Sequence, residues 1–302
     1  MWRKGSISTD ETTDYRRKGT ARLGAVPCTG ERETALGTVP EALRDCTWRA
    51  VDVDELDITD AGAVLQFVRE FVPDAVINCA AMTNVDGCET NELTAFRVNA
   101  VGVRNLAAAC DAVGARFLHV STDYVFDGTG HTPHREWDVC APNTVYGKSK
   151  YLGEQYALHF CRKAFVVRTA WLYGAGGNNF VKTMQRLGRE KDRISVVCDQ
   201  RGNPTYAGDL AHHLLKLCVT EEYGIYHCTG EGECSWYEFA CEIMRLSGLA
   251  CEVDPCTTAE YPSKTPRPAY SALENLALAA TVGNEMRDWK EALTAYITET
   301  NV

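Results

Sequence analysis

The alternation of strand-like and helix-like segments from residue 48 onward constrains the fold more than any other feature of this sequence. Short apolar runs of strand length are separated by longer segments whose apolar residues recur at helical spacing. Strands joined by helices of this length form a parallel sheet that is covered on both faces. We therefore predict an α/β fold built on a doubly wound, Rossmann-like parallel sheet, with the chemistry beyond the carboxyl ends of the strands. The predicted strands cover residues 48–53, 74–80, 115–121 and 164–169, and the predicted helices cover residues 60–71, 93–113 and 148–163.

The alternation becomes irregular after residue 173, where shorter elements and a proline-rich stretch follow. A chain of 302 residues is long enough for one large α/β domain with a smaller appendage. We predict a dinucleotide-binding domain over residues 46–172 and, over residues 173–302, a smaller substrate-binding lobe that interleaves with the sheet domain.

The charge and the cysteines limit the classes of partner and the compartment. The net charge of −10 argues against a protein that binds nucleic acid or a membrane surface. The sequence has no apolar run of about 18 residues that could span a bilayer, and its first residues lack a hydrophobic signal core. The 14 cysteines form no CxxC pair, so we expect free thiols in a reducing compartment and no metal site. We therefore predict a cytoplasmic protein.

Tyr146 and Lys150 are the candidate catalytic pair. Spaced four residues apart, they lie on one face of a helix. A nearby ammonium group favours the phenolate and lowers the pKa of a tyrosine, which suits a general acid. By itself, such a pair is also common on helix surfaces. However, Thr122 follows a predicted buried strand and would lie where a substrate carbonyl group is expected.

A strand ending in Ser or Thr, followed by YxxxK, is the catalytic order of short-chain dehydrogenases, and longer motifs make the resemblance more specific. Over roughly residues 48–298, the chain resembles the dTDP-4-dehydrorhamnose reductase family. The motifs that carry this resemblance are DIT at 57–59, NCAAMTNVD at 78–86, STDYVFDG at 121–128, YGKSK at 146–150, RTAWLYG at 168–174, DQRGNPT at 199–205, RP at 267–268 and DWKEAL at 288–293.

The resemblance implies an oxidoreductase that uses NADPH or NADH to reduce the C4 keto group of dTDP-4-dehydro-L-rhamnose. In this family, Tyr146 would protonate the oxyanion, and Lys150 would lower the pKa of that tyrosine and bind the nicotinamide ribose. Thr122 would polarise the carbonyl group. Asp123 and Trp171 match positions that contact the sugar or its nucleotide, although a turn and a core aromatic are alternative interpretations.

The resemblance also implies contacts with the cofactor. Two positions match the adenine-side contact of the family, and three small residues after a buried strand would let a dinucleotide approach, unless they serve only close packing. An acid at the end of the first predicted strand could bind the ribose 2′-OH, and the lack of a following Arg favours NADH. Asn99 resembles the asparagine of the short-chain-dehydrogenase proton relay, but capping or a helix-surface role would explain it equally well. The predicted contacts are Asp57 and Ile58, then Ala80, Ala81 and Thr83, and lastly Asp52.

Residues 1–45 depart from the family pattern. A Rossmann fold opens with an apolar strand and a glycine-rich turn, close to TGxxGxLG in this family. The nearest match, VPCTGERETALG at 26–37, is one residue too long, lacks the middle glycine and has Pro27 in the expected strand. Glu31 and Glu33 would place negative charge near a pyrophosphate. We expect this segment to replace or degrade the first strand and the phosphate loop.

Three explanations of that departure stay open. The loop has diverged and still binds the cofactor weakly; the segment reflects a wrong start or a shifted reading frame; or the chain has lost catalysis and is a regulatory subunit. The abrupt change from a polar leader to a family match favours the second. Another nucleotide-sugar reductase or epimerase is a further alternative function. The sequence also allows a homodimer and shows no cluster of metal ligands.

Overall fold

The computed structural model describes residues 22–26, 46–261 and 263–300. Six parallel strands form the central sheet in the order β10-β5-β4-β3-β1-β2. Three short two-stranded sheets pair β11 with β8, β12 with β7 and β6 with β9. The strands are β1 Arg22–Val26, β2 Thr47–Ala50, β3 Ala75–Asn78, β4 Arg116–Thr122, β5 Ala164–Thr169, β6 Leu172–Tyr173, β7 Arg193–Val197, β8 Arg201–Gly202, β9 Thr205–Tyr206, β10 Gly224–His227, β11 Cys234–Ser235 and β12 Glu252–Cys256.

Helices cover both faces of the central sheet, because successive strand residues point to opposite sides. On β4, Phe117 packs with residues of α1, α4 and α5, whereas Leu118 packs with residues of α7 and α9 on the other face. This arrangement confirms the predicted doubly wound α/β fold. The helices are α1 Ala61–Phe71, α2 Val85–Thr90, α3 Glu92–Phe96, α4 Val103–Val113, α5 Val145–Phe160, α6 Phe180–Glu190, α7 Ala207–Cys218, α8 Trp236–Leu246, α9 Leu276–Thr281 and α10 Trp289–Thr300.

The first strand of the sheet is present, so the expectation that residues 1–45 lack it is wrong for Arg22–Val26. The backbone of β1 pairs in parallel with β2 on one side and with β3 on the other. The apolar run of this strand is too short to be recognised in the sequence. Its extended conformation depends on pairing with β2 and β3, which the local sequence pattern does not show. Residues 27–45, where the phosphate loop was expected, lie outside the described residues, as do Pro27, Glu31 and Glu33.

The single helix predicted over residues 93–113 is instead three consecutive segments. A π-helical segment, Arg97–Gly102, separates α3 from α4. Gly114 has a φ of 77° and ends α4, as predicted for a C-cap glycine. A Cβ on Gly153 of α5 would collide with the carbonyl oxygen of Asn99 in the π-helical segment. Glycine at this position therefore lets α5 lie directly against that segment.

The part of the chain after residue 173 forms a core of its own and also returns to the central sheet. Tyr173, Phe239 and Tyr296 lie in one buried apolar cluster with residues of α6, α8 and α10. β10 pairs with β5 at the edge of the central sheet. The thirteen cysteines in the described ranges form no disulfide bond with one another, and no described helix is long and apolar enough to cross a membrane.

Candidate active site

A cavity of about 1580 Å³ lies beyond the carboxyl ends of the central strands. Residues at or after the ends of β3, β4 and β5 line it, together with the first two turns of α5. This is where a doubly wound sheet is expected to bind its ligands. The predicted site residues that line the cavity are Ala81, Thr83, Thr122, Asp123, Tyr146, Lys150 and Trp171.

The catalytic pair lies on α5, close to the start of the helix. The hydroxyl oxygen of Thr144 accepts the N–H of Gly147 at 3.0 Å and caps the helix, so α5 begins before Tyr146 rather than at the predicted residue 148. Tyr146 is 9% exposed and Lys150 is 2% exposed. A Cβ on Gly147 would collide with the carbonyl oxygen of Tyr124, so this glycine lets the helix start approach the turn after β4.

Lys150 contacts two groups of β4. Its Nζ donates to the carbonyl oxygen of Val120 at 2.6 Å and lies 3.3 Å from Nε2 of His119. The other ring nitrogen of His119, Nδ1, lies 3.1 Å from Nδ2 of Asn78, which ends β3. Burial, and then the charge of Lys150, hold the pKa of His119 well below its usual range. The lysine is thus surrounded by buried polar groups rather than by solvent.

Thr122 and Asp123 contact each other at the end of β4. The Thr122 hydroxyl donates to Oδ1 of Asp123 at 2.9 Å and accepts the N–H of Tyr124 at 3.3 Å. Oδ2 of Asp123 is buried and has no hydrogen-bond partner among the described residues. Burial raises the pKa of Asp123 to about 6, against the opposing effect of the Ser271 and Thr122 hydroxyl groups. An unpartnered acceptor therefore lies beside the candidate catalytic threonine.

Trp171 forms part of the cavity wall in a strained conformation. Its φ of 47° is in the left-handed region, which side chains other than glycine seldom adopt. The ring stacks on Trp236 with centroids 3.5 Å apart and planes 8° apart, and Trp236 in turn lies 4.5 Å from the ring of Phe180. A Cβ on Gly202 would lie only 2.7 Å from the Trp171 ring. Packing on both sides therefore holds the strained residue in place.

A buried ion pair joins β5 to α5, the helix of the candidate catalytic pair. Two nitrogens of Arg168, on β5, donate to the carboxylate of Glu154, on α5, at 2.8 and 2.9 Å. The hydroxyl group of Ser121, next to Thr122, donates to the same carboxylate at 2.5 Å. Glu154 was not predicted as part of the site, although the four-residue spacing from Tyr146 through Lys150 continues to it. That spacing was the available signal.

The predicted cofactor contacts divide into two groups. Ala81 and Thr83 line the cavity. Asp52 and Asp57 each accept a nearby backbone N–H, from Val53 and Thr59. Ile58 is buried in the core, where a Cβ on Gly102 would lie 2.6 Å from its side chain. Asp52, Asp57, Ile58 and Ala80 are not among the described residues that line the cavity.

Asn99 is buried and joins the segment after β3 to α5. Its side chain accepts the N–H of Met82 at 2.7 Å, donates to the carbonyl oxygen of Met82 at 3.1 Å and donates to the hydroxyl oxygen of Ser149 at 3.0 Å. The alternative of a helix-surface role is therefore wrong. The structure thus places this residue at the junction of the π-helical segment and the catalytic helix.

The fold and the site together define a class of protein. A parallel sheet has a threonine at the end of one strand and a Tyr-Lys pair on the next helix, and all three residues line one cavity. This combination defines an oxidoreductase of the short-chain dehydrogenase type. Among the described residues, no group of three or more His, Cys, Asp and Glu side chains could hold a metal ion.

Comparison with known proteins identifies the family. The sequence profile of the RmlD substrate binding domain matches residues 36–302. The chain is 45% identical over 244 residues to the spore coat polysaccharide biosynthesis protein SpsK of Bacillus subtilis, covering 81% of this chain and 86% of that protein. It is 43% identical over 256 residues to the dTDP-4-dehydrorhamnose reductase of Aggregatibacter actinomycetemcomitans, covering 81% of this chain and 87% of that enzyme. The chain belongs to the dTDP-4-dehydrorhamnose reductase family, which confirms the resemblance seen in the sequence.

A solved structure shows the same fold. The dTDP-4-dehydrorhamnose reductase of Bacillus anthracis, crystallised in complex with NADP, superimposes with a TM-score of 0.86 and is 40% identical. The match covers 93% of this chain and 99% of that one.

Proposed function

We propose that this protein reduces the C4 keto group of dTDP-4-dehydro-L-rhamnose to give dTDP-L-rhamnose, with NADPH or NADH as cofactor. The observation that carries the proposal is that Thr122, Tyr146 and Lys150 line a single cavity at the carboxyl ends of the central strands. The substrate follows from the relatives that bear this activity in their names and are more than two-fifths identical to the chain.

The residues after β3 fit a dinucleotide cofactor. Cys79, Ala81 and Thr83 line the cavity with small side chains, so a flat, extended ligand can approach the backbone there. Lys150 lines the same cavity, and we propose that it binds a ribose hydroxyl group there. When bound, the reduced nicotinamide supplies the hydride. We further propose that Asp52, Asp57, Ile58 and Ala80 lie on the adenosine side.

The proton chemistry belongs to the residues of this chain. Tyr146 is placed to donate its phenolic proton to the oxygen that becomes the C4 hydroxyl group. Lys150, one helical turn away, stabilises the phenolate as it forms, because an adjacent positive charge favours the ionised form. The Thr122 hydroxyl has one proton, which it now donates to Asp123. To polarise the substrate carbonyl group it must turn that proton toward the substrate.

Asp123 and Trp171 are proposed as substrate contacts for separate reasons. The unpartnered Oδ2 of Asp123 can accept a hydrogen bond from a sugar hydroxyl group, which would satisfy a buried acceptor. The ring of Trp171, stacked on Trp236, offers an apolar wall for the sugar or its nucleotide. A cytoplasmic location and a homodimer remain part of this proposal and can be checked by cell fractionation and light scattering.

The test is direct turnover. The purified chain is mixed with enzymatically prepared dTDP-4-dehydro-L-rhamnose and either NADPH or NADH, and loss of nicotinamide absorbance is followed. We expect oxidation of the cofactor and formation of dTDP-L-rhamnose, identified by chromatography and mass. The Tyr146→Phe variant serves as the matched control for non-enzymatic oxidation. If neither cofactor is oxidised and neither binds, the enzyme proposal is wrong and the regulatory-subunit alternative gains support.

A further inference from the structure

His119 and Asn78 are fully buried beside the catalytic lysine but have no role in the chemistry proposed above. They face each other across the paired strands β3 and β4, where Asn78 and His119 are register partners. Each makes a contact whose direction can be worked out from its neighbours. Those directions determine which nitrogen of the imidazole ring carries the proton.

The orientation of Asn78 is set by the backbone. Its Oδ1 accepts the N–H of Ala80 at 3.0 Å, so its Nδ2 is the atom that faces Nδ1 of His119. A flipped amide would set two donors against each other at Ala80. Because an amide NH₂ group only donates, Nδ1 of His119 must accept.

The proton of the neutral imidazole is then on Nε2, because one ring nitrogen donates when the other accepts. Nε2 lies 3.3 Å from Nζ of Lys150. A neutral amine has two N–H groups and one lone pair, so it can donate to Val120, donate into the cavity and accept from His119. An ammonium group has no lone pair and would meet the Nε2 proton as a second donor.

We propose that His119 is a positioning residue that presents its Nε2–H to Lys150 and stabilises the neutral amine formed when the Tyr146–Lys150 pair gives up a proton. The inference rests on the proposed function. After Tyr146 donates its proton to the substrate, the phenolate takes one proton from the Lys150 ammonium group, which leaves a phenol and an amine. Because His119 stabilises the neutral amine, it makes the Tyr146–Lys150 pair a stronger acid. The proton that reaches the substrate is then replaced on Tyr146 by one from Lys150.

The other ionisable groups around the pair do not supply this effect. Glu154, one turn further along α5, forms an ion pair with Arg168 of β5, so their charges offset each other. Asp123 lies at the end of β4, where it accepts from Thr122. Of the two contacts of Nζ described above, the carbonyl group of Val120 can only accept a hydrogen bond, whereas the proton of the neutral His119 ring can be on either nitrogen.

The first experiment reads the tautomer without any substrate. In ¹⁵N NMR of histidine-labelled protein, the His119 signals are assigned as those lost in His119→Phe. We expect a protonated Nε2 and an unprotonated Nδ1 that do not titrate near neutral pH. In Asn78→Asp, the carboxylate would accept from Nδ1–H, so the tautomer should reverse. A proton on Nδ1 in the unmodified enzyme overturns the inference.

The second experiment measures the pH dependence of kcat in the reductive direction. Without the Nε2–H donor, the neutral amine of Lys150 loses a hydrogen bond, and the ammonium form no longer faces a second donor. The Tyr146–Lys150 pair therefore holds its proton more tightly. The fall in kcat at high pH, which is the basic limb of the pH profile, should therefore move to higher pH in His119→Phe. The expected shift is roughly one pH unit, the equivalent of losing one hydrogen bond. At neutral pH, kcat should drop several-fold with little change in KM.

Two further variants separate this role from a general loosening of β4. His119→Gln can offer an amide N–H to Lys150 in place of Nε2–H. The pH at which kcat falls on the basic side should therefore return most of the way to that of the unmodified enzyme. Leu118→Val changes the adjacent buried residue on the opposite sheet face, and it should lower stability without moving the limb. If kcat falls in His119→Phe while the limb stays in place, or if the limb moves to lower pH, the inference is wrong. If no keto-sugar is reduced, the proposed function fails and the NMR result still decides the tautomer.

Discussion

The two walls of the cavity are held in place by different forces. On the wall formed by β4, β5 and α5, buried hydrogen bonds fix Lys150 and Thr122, and the buried Arg168–Glu154 ion pair joins β5 to α5. On a second wall, Trp171 is held by stacking on Trp236 and by close packing. Hydrogen bonds set position and direction within a few tenths of an ångström, whereas stacked rings tolerate sliding. We infer that the polar wall controls the rate of proton transfer and the aromatic wall controls substrate affinity.

The largest expected effect is on the polar wall. Tyr146→Phe removes the proton donor and should lower kcat by about 100- to 10,000-fold, with KM and the thermal unfolding temperature nearly unchanged. Steady-state kinetics and a melting curve measure the two effects. If kcat is unchanged, Tyr146 is not the acid and the division between the walls fails.

The ion pair beneath the polar wall should matter for stability. Glu154→Gln leaves the buried Arg168 charge uncompensated and should reduce the free energy of unfolding by about 3–5 kcal/mol, measured by denaturant titration. The matched control is Glu190→Gln, which breaks the exposed pair with Arg186 and should cost about 0.5 kcal/mol or less. Equal losses in the two variants would show that the buried pair does not support the wall.

Asp123 should make stability depend on pH. The folded-state pKa of its buried carboxyl, about 6, is higher than the value of 3.8 expected without burial. Its contribution to stability is therefore lost as pH rises between these values, because the folded state binds the proton more tightly. Asp123→Asn should stabilise the ligand-free protein by about 1–3 kcal/mol above that range and by little below it. Denaturant titrations at several pH values measure this, and a variant that is less stable at high pH would contradict it.

The smallest expected effect is on the aromatic wall. Trp236→Leu removes the ring that supports Trp171 and should raise KM for the nucleotide sugar about 2- to 10-fold, with kcat nearly unchanged. Steady-state kinetics with saturating cofactor measures it. A fall in kcat with unchanged KM would mean that both walls act on the chemical step, which would break the comparison.

The features that the sequence could predict are those set by local patterns, and the features that it could not predict depend on contacts between distant segments. The strand-helix alternation and the YxxxK spacing are local patterns, so the parallel sheet, the presence of a helix after β4 and the placement of Tyr146 and Lys150 on one helix could be predicted, although α5 begins at Val145 rather than at residue 148. The strand β1 was missed because its short apolar run becomes a strand by pairing with two neighbours that are distant in sequence. His119 and Glu154 were missed because a polar residue in an apolar strand or on a helix shows its partner only after the elements have packed.

The conformation of Trp171 could not be predicted for a similar reason. Its left-handed backbone depends on Trp236, which belongs to a later helix, and on the absence of a side chain at Gly202. Single-sequence patterns contain no information about such contacts. The family motif predicted Trp171 as a site residue, but only the packed structure shows what holds it in this conformation.

The placement of β1 has a practical consequence for recombinant work. β2 pairs with no other described strand of the sheet than β1, and β3 uses β1 as its partner on that side. A variant that lacks residues 1–26 would expose the unpaired backbone of β3, and such edges recruit strands from other molecules. Truncations that remove β1 because the leader is polar would therefore be expected to yield aggregates, whereas a variant that keeps Arg22–Val26 keeps the strand that lies between β2 and β3.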